Sequence, residues 1–131
     1  MKNPLMHTAV LVRLPLAISF LGHGLIRLPK LFQFAAGMEA AFEATILPGI
    51  VVYVFALILP IMELVLGVLL LSGFKVRQTA SVGVLLMCVL ILGSVFQENW
   101  SAVVIQMFYG LYLTGLYGLS EAAYVPCNLK D

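Results

Sequence analysis

Residues Pro48 to Leu71 read PGIVVYVFALILPIMELVLGVLLL, an apolar run with a single charge, Glu63. About 20 predominantly apolar residues suffice for a helix to cross the hydrocarbon core of a bilayer, so this stretch has the length and composition of a membrane span. A surface helix of a soluble domain would show a polar face, and this run has none. Three more stretches have the same character: Thr8 to Leu28, Thr79 to Phe96 and Ser101 to Leu119. They predict an all-α fold, an integral membrane four-helix bundle in one domain of 131 residues.

Composition agrees. Hydrophobic residues make up 63% of the chain and charged residues 10%, against about 25% charged in soluble domains. A chain this short cannot bury so much apolar surface away from water. That excludes an ordinary soluble enzyme and a disordered tail. A net charge of +1 implies no polyanionic partner, so no nucleic acid, and leaves the lipid bilayer as the partner of the surface. Cys88 and Cys127 are too few and too far apart for a disulfide framework or a metal site, and no metal is expected. The first stretch carries Arg13, His23 and Arg27 and has no small-residue cleavage site close behind it, so it reads as a retained helix and not a cleaved signal.

The longest connection is Pro29 to Leu47. Phe32, Phe34, Ala35, Met38, Phe42 and Ile46 alternate with Gln33, Glu39 and Glu43 at helical spacing. This predicts an amphipathic interfacial segment between helices one and two, lying in the interface plane or plugging the bundle mouth. The connections Ser72 to Gln78 and Gln97 to Trp100 are short, which predicts antiparallel neighbours for helices two and three and for three and four. Lys2, Lys75, Arg77 and Lys130 fall on one side of the bundle, and Arg27 and Lys30 on the other, beside Glu39, Glu43 and Glu98. The positive-inside rule then puts both termini in the cytoplasm of a bacterial inner membrane, with Pro29–Leu47 facing the periplasm.

Charges inside a bilayer need a partner or a function. With Pro29 and Pro48 as the outer ends of the first two helices, a rise of about 1.5 Å per residue puts Arg13 roughly 24 Å and Glu63 roughly 22 Å below the outer surface. An Arg13–Glu63 ion pair is therefore expected, either as a structural clamp or as a proton-handling pair. A second polar layer is expected near the outer surface. His23 and Arg27 share one helix face, Glu98 ends helix three, Gln106 and Tyr109 lie early in helix four, and Lys30 lies just outside. His23, Arg27, Lys30, Glu98, Gln106 and Tyr109 are the candidate binding residues, with His23, Glu63 and Arg13 as candidate catalytic groups. Histidine exchanges protons near neutral pH, arginine holds oxyanions by paired hydrogen bonds, and apolar walls would complete a ligand site. Arg27, Lys30, Glu98 and Trp100 are also residues that anchor helices at headgroup level. Gly110, Thr114 and Gly118 form a small-residue stripe suited to helix packing, within the bundle or between copies in a homo-oligomer. Pro60 frees the backbone carbonyl one turn before itself, which is expected to kink the helix just before Glu63.

Four pieces of sequence resemble one family. The first runs from Arg13 through His23-Gly24-Leu-Ile-Arg27 to Pro29-Lys30. The second is Leu59-Pro60-Ile-Met-Glu63 followed by Gly67 and Gly73. The third is the basic turn Phe74-Lys75-Val-Arg77, and the fourth ends helix three as Gln97-Glu98-Asn-Trp100. Together they resemble the DoxX/DoxD family of small four-helix membrane proteins over nearly the whole chain, to about Gly118. The resemblance implies a redox-linked membrane role, as in subunits of a terminal quinol oxidase and of thiosulfate:quinone oxidoreductase. It makes quinone the expected cofactor, with His23 or Gln106 bonded to a carbonyl and Arg27 and Lys30 attracting an anionic donor such as thiosulfate. A partner redox subunit is implied as well. The alternatives are a non-catalytic membrane anchor for such a partner and, less in keeping with four helices and no inverted repeat, a small transporter or proton pathway.

Overall fold

The computed structural model describes residues 4–124; Lys2, Cys127 and Lys130 lie outside them. Helix α1 spans Pro4–Arg27, a 3-10 turn Leu28–Lys30 links it to α2 at Leu31–Ala41, and α3 (Gly49–Ser72), α4 (Val76–Phe96) and α5 (Trp100–Tyr124) follow. Among the described residues there is no strand. Also among the described residues, four helical segments are long and apolar enough to cross a membrane: Pro4–Ala41, Gly49–Ser72, Val76–Phe96 and Trp100–Ala123. The chain is a multi-pass membrane protein. Its outward faces are apolar, with Leu11, Ile18, Ile26, Val104 and Leu111 all largely exposed, which is the surface that lipid requires and water would penalise.

The helix ends follow from local chemistry. Gly73 closes α3 in the left-handed conformation (φ 78°), and its N–H donates to the Leu69 carbonyl at 3.1 Å. This is the role glycine fills at helix C-termini. Asn99 caps α5, its Oδ1 accepting from the Ala102 N–H at 3.3 Å.

Helices α1 and α3 form one antiparallel pair and α4 and α5 another; α1 packs on α5 to join them. Glycines set the closeness of the first pair. A Cβ on Gly24 would stand 2.9 Å from the Leu64 backbone nitrogen, and one on Gly67 would stand 2.7 Å from that of Leu21. The α1–α5 seam is held by Tyr112, whose hydroxyl donates to the Val12 carbonyl at 2.6 Å, next to the carbonyl that Pro15 leaves without its helical donor. The core runs between the pairs, through Leu16, Ala17, Phe20, Leu59, Leu66, Met87 and Leu113. Short connections do not make all consecutive helices neighbours, however. The α3–α4 turn is tight, yet α3 and α4 scarcely pack on each other.

The amphipathic connection takes the bundle mouth of its two expected places. Met38 packs against the core, Phe42 is buried and faces Gly93, and Glu39 reaches Gly49 at the start of α3. Helix α2 therefore continues along α3 beyond Pro29. The outer end of this first limb is near Ala41, and Arg27 and Lys30 lie a whole helix short of it. Arg13, whose guanidinium rests 3.0 Å from the place of a Gly73 Cβ, lies at the opposite end, level with the α3–α4 turn.

The close approach of α1 and α3 makes a direct prediction. Gly24→Ala forces a contact against backbone and should lower thermal stability in detergent by roughly 1–3 kcal/mol. Gly22→Ala meets nothing within 4 Å and should be neutral or stabilising by up to about 1 kcal/mol. Thermal unfolding of both variants checks this; equal melting would contradict the register.

Candidate functional site

Glu63 sits on the buried side of α3, its side chain only 7% exposed. Arg27, on α1, donates from Nη1 to both of its carboxylate oxygens at 2.9 Å. The Arg27 guanidinium also lies over the Phe34 ring of α2, 4.7 Å from the centroid, a favourable placement for a cation. The expected Arg13–Glu63 pair is thus corrected to Arg27–Glu63. The physical reason is the continuation of the first limb into α2. The depth reckoning took Pro29 as the outer end, but Arg27 is level with Glu63 because the limb ends about a dozen residues later. The signal available in the sequence was Gly24 one turn before Arg27 and Gly67 one turn after Glu63, which together let the two backbones close on the charges.

One turn before Arg27 is His23. Its Nδ1 is 2.7 Å from the Ser19 carbonyl. A carbonyl can only accept, so Nδ1 carries the proton, and Nε2 is the basic nitrogen of the neutral ring. The Ser19 hydroxyl in turn pairs with the Tyr109 hydroxyl of α5, and the Tyr109 ring meets Phe20 edge-on at 6.0 Å between centroids. From the other side, Gln106 accepts a bond from Ser94 at 2.9 Å through its carbonyl oxygen, which leaves the amide N–H groups for another acceptor.

These groups line one central cavity of about 260 Å³. His23, Arg27, Glu63, Gln106 and Tyr109 supply its polar points, and Phe20, Leu59, Met87 and Ile105 are among its apolar walls. The ion pair cancels its own charge, so the cavity combines neutral polar groups with greasy walls. Arg27 spends one nitrogen on Glu63 and has further N–H donors. Five of the expected site residues are thus together. Arg13, Lys30 and Glu98 are not among the lining residues. Arg13 lies at the α3–α4 turn; Lys30 is exposed at the end of the 3-10 turn; Glu98 is exposed beyond α4 with φ 55°. Phe34 and Met38 were expected only as part of the apolar side of the Pro29–Leu47 segment, and Ser19 and Ser94 were not singled out from the sequence. Of the two serines only Ser19 had a local signal, since it lies one turn before His23. Ser94 and Gln106 meet across the α4–α5 turn. Among the described residues no group of three His, Cys, Asp or Glu side chains could hold a metal ion.

A family model described as DoxX matches residues 8–96. The chain belongs to the DoxX family. Comparison with curated proteins and with solved structures gives no match. The DoxX match takes in α1 to α4, and with them His23, Arg27 and Glu63. Gln106 and Tyr109 lie past it, on α5, so in this DoxX protein the cavity is completed by a helix outside the matched stretch.

Removing Arg27 leaves the Glu63 charge buried without a partner. Arg27→Ala should cost about 3–5 kcal/mol, in line with buried pairs broken on one side. Arg13→Ala, which leaves the pair intact, should cost well under half of that. Melting temperatures in detergent separate the two; a larger loss for Arg13→Ala would restore the pairing expected from depth alone.

Proposed function

We propose that the chain is the membrane subunit of a quinone-linked oxidoreductase and that the central cavity holds the quinone headgroup. The observation that supports this most is the pairing, in one cavity between the spans, of free N–H donors with apolar and aromatic walls. Quinone carbonyls accept hydrogen bonds, and the ring needs an apolar slot. The Gln106 amide and the unused Arg27 nitrogens are donors of the right kind. His23, with Nδ1 tied to Ser19, presents Nε2 as a proton acceptor, or as a donor when the ring is charged. The Arg27–Glu63 pair holds the floor of the cavity in place and keeps its net charge at zero. A bound quinone would itself supply the two-electron, two-proton chemistry; the protein binds, orients and exchanges protons.

A sulfur oxyanion such as thiosulfate is the finer form of this reading, suggested by the resemblance to thiosulfate:quinone oxidoreductase subunits. With Arg27 neutralised by Glu63, Lys30 is the remaining cation of that expected pair. The arrangement of charge supports a cytoplasmic position for the described ends of α1 and α5. Arg13, Lys75 and Arg77 gather at the end of the bundle that carries both, while Glu39, Glu43 and Glu98 lie toward the other.

The test is lipid extraction and quinone analysis of protein purified in mild detergent. Wild type should carry quinone, and His23→Ala and Gln106→Ala should each lower it several-fold. Lys30→Ala and Glu98→Ala should leave it unchanged. A quinone-free protein that carries a stoichiometric partner subunit would instead identify an anchor, and the polar cavity would then be a packing device.

A further inference from the structure

A second groove, of about 330 Å³, lies on the side where α3 and α4 scarcely pack. Ile61, Val65 and Leu69 of α3 form one wall and Val82 of α4 stands in the other; Lys75 is the one charged residue that lines it. On α3 the lining residues run toward the turn, and on α4 away from it. The groove therefore extends from the turn roughly 18 Å up α3, to Ile61, and roughly 10 Å up α4, to Val82, at the usual rise. Its apolar part lies toward the middle of the bilayer and its cation at the end of the bundle, the polarity of an amphiphile with its headgroup at the surface.

Charge at the turn is unbalanced. Arg77 has a carboxylate, Glu121, at 3.5 Å. Among the described residues neither Lys75 nor Arg13 has one, and the Nε atoms of Arg13 and Arg77 are both buried with no hydrogen-bond partner. Lys75 further stands at φ 47°, in the left-handed region, where a residue with a Cβ is uncommon and glycine is at ease. Strain of this kind persists where the surroundings hold it and concentrates at functional positions.

We infer that the α3–α4 groove binds an anionic phospholipid, with an acyl chain along Ile61, Val65 and Leu69 and the phosphate on Lys75, in the positive field that Arg13 adds to the turn. Positive charge beside the membrane surface attracts anionic lipid, and the groove gives that attraction a fixed place.

Native mass spectrometry of the full chain in detergent, titrated with phosphatidylglycerol or phosphatidylcholine, tests this. Wild type should retain phosphatidylglycerol several-fold more than phosphatidylcholine. Lys75→Gly removes the charge while suiting the backbone, so it should fold at least as stably and lose the preference. Val65→Trp fills the groove and should reduce retention of both lipids. Equal retention of the two lipids by wild type would overturn the inference. So would a preference that survives in Lys75→Gly, or retention untouched by Val65→Trp.

Discussion

The bundle depends on one contact between opposite charges deep in its interior. Glu63 is nearly inaccessible, and Arg27 meets both of its oxygens. Such a pair is tolerable in a low-dielectric interior only if the geometry is good, because the loss of water around each charge is large. Here the geometry comes from the backbone. Gly24 and Gly67 let α1 and α3 approach until side chain meets main chain. The glycines fix the register, the register sets the ion pair, and the ion pair sets which face of α1 points inward. His23, one turn away, is carried to the cavity by that choice.

The cavity has a topological origin. Two antiparallel pairs, α1 with α3 and α4 with α5, share the single seam between α1 and α5. Polar links concentrate there: Tyr112 to the Val12 carbonyl, and Tyr109 to Ser19. Opposite the seam the pairs stand apart, so the interior between them is only partly filled. Met38 of α2 lines the mouth of the cavity, and Phe42, just past the end of α2, packs beside Gly93. The fold thus makes a polar-floored chamber from helices that are otherwise almost wholly apolar.

Much of this was legible from residues alone. Four spans follow from hydrophobic run length, because the bilayer imposes a length that composition must meet. That His23, Arg27, Gln106 and Tyr109 would share a polar site was readable from their spacing along the helices, but the depth of that site was not, because Pro29 was taken for the outer end of the first limb. The partner of Glu63 was not. Ion pairing depends on the level at which each helix starts, and Pro29 looked like an end. Proline is well tolerated in the first turn of a helix, and here it sits in a 3-10 turn that passes the chain on to α2. Arg13 and Glu63 seemed level only because that extra limb was left out. The separation of α3 from α4 was hidden for a related reason: a short turn fixes where two helices begin, not how far they diverge. Ser94 escaped notice because hydroxyls are common in helices and only its bond to Gln106 gives it a role.

The 36-residue gap between Arg27 and Glu63 also bears on how the protein is made. Synthesis runs from the N-terminus, so Arg27 enters the membrane before its counter-charge exists. A lone arginine near the centre of a helix costs about 2.5–3.5 kcal/mol on insertion scales. The first limb must be carried by its own apolar residues, and by Phe34 under the guanidinium, until α3 arrives. The second span then inserts next to a waiting cation, which draws Glu63 inward. Order of emergence from the ribosome thereby makes α1 a template for α3, and the pair can be complete before α4 and α5 are translated.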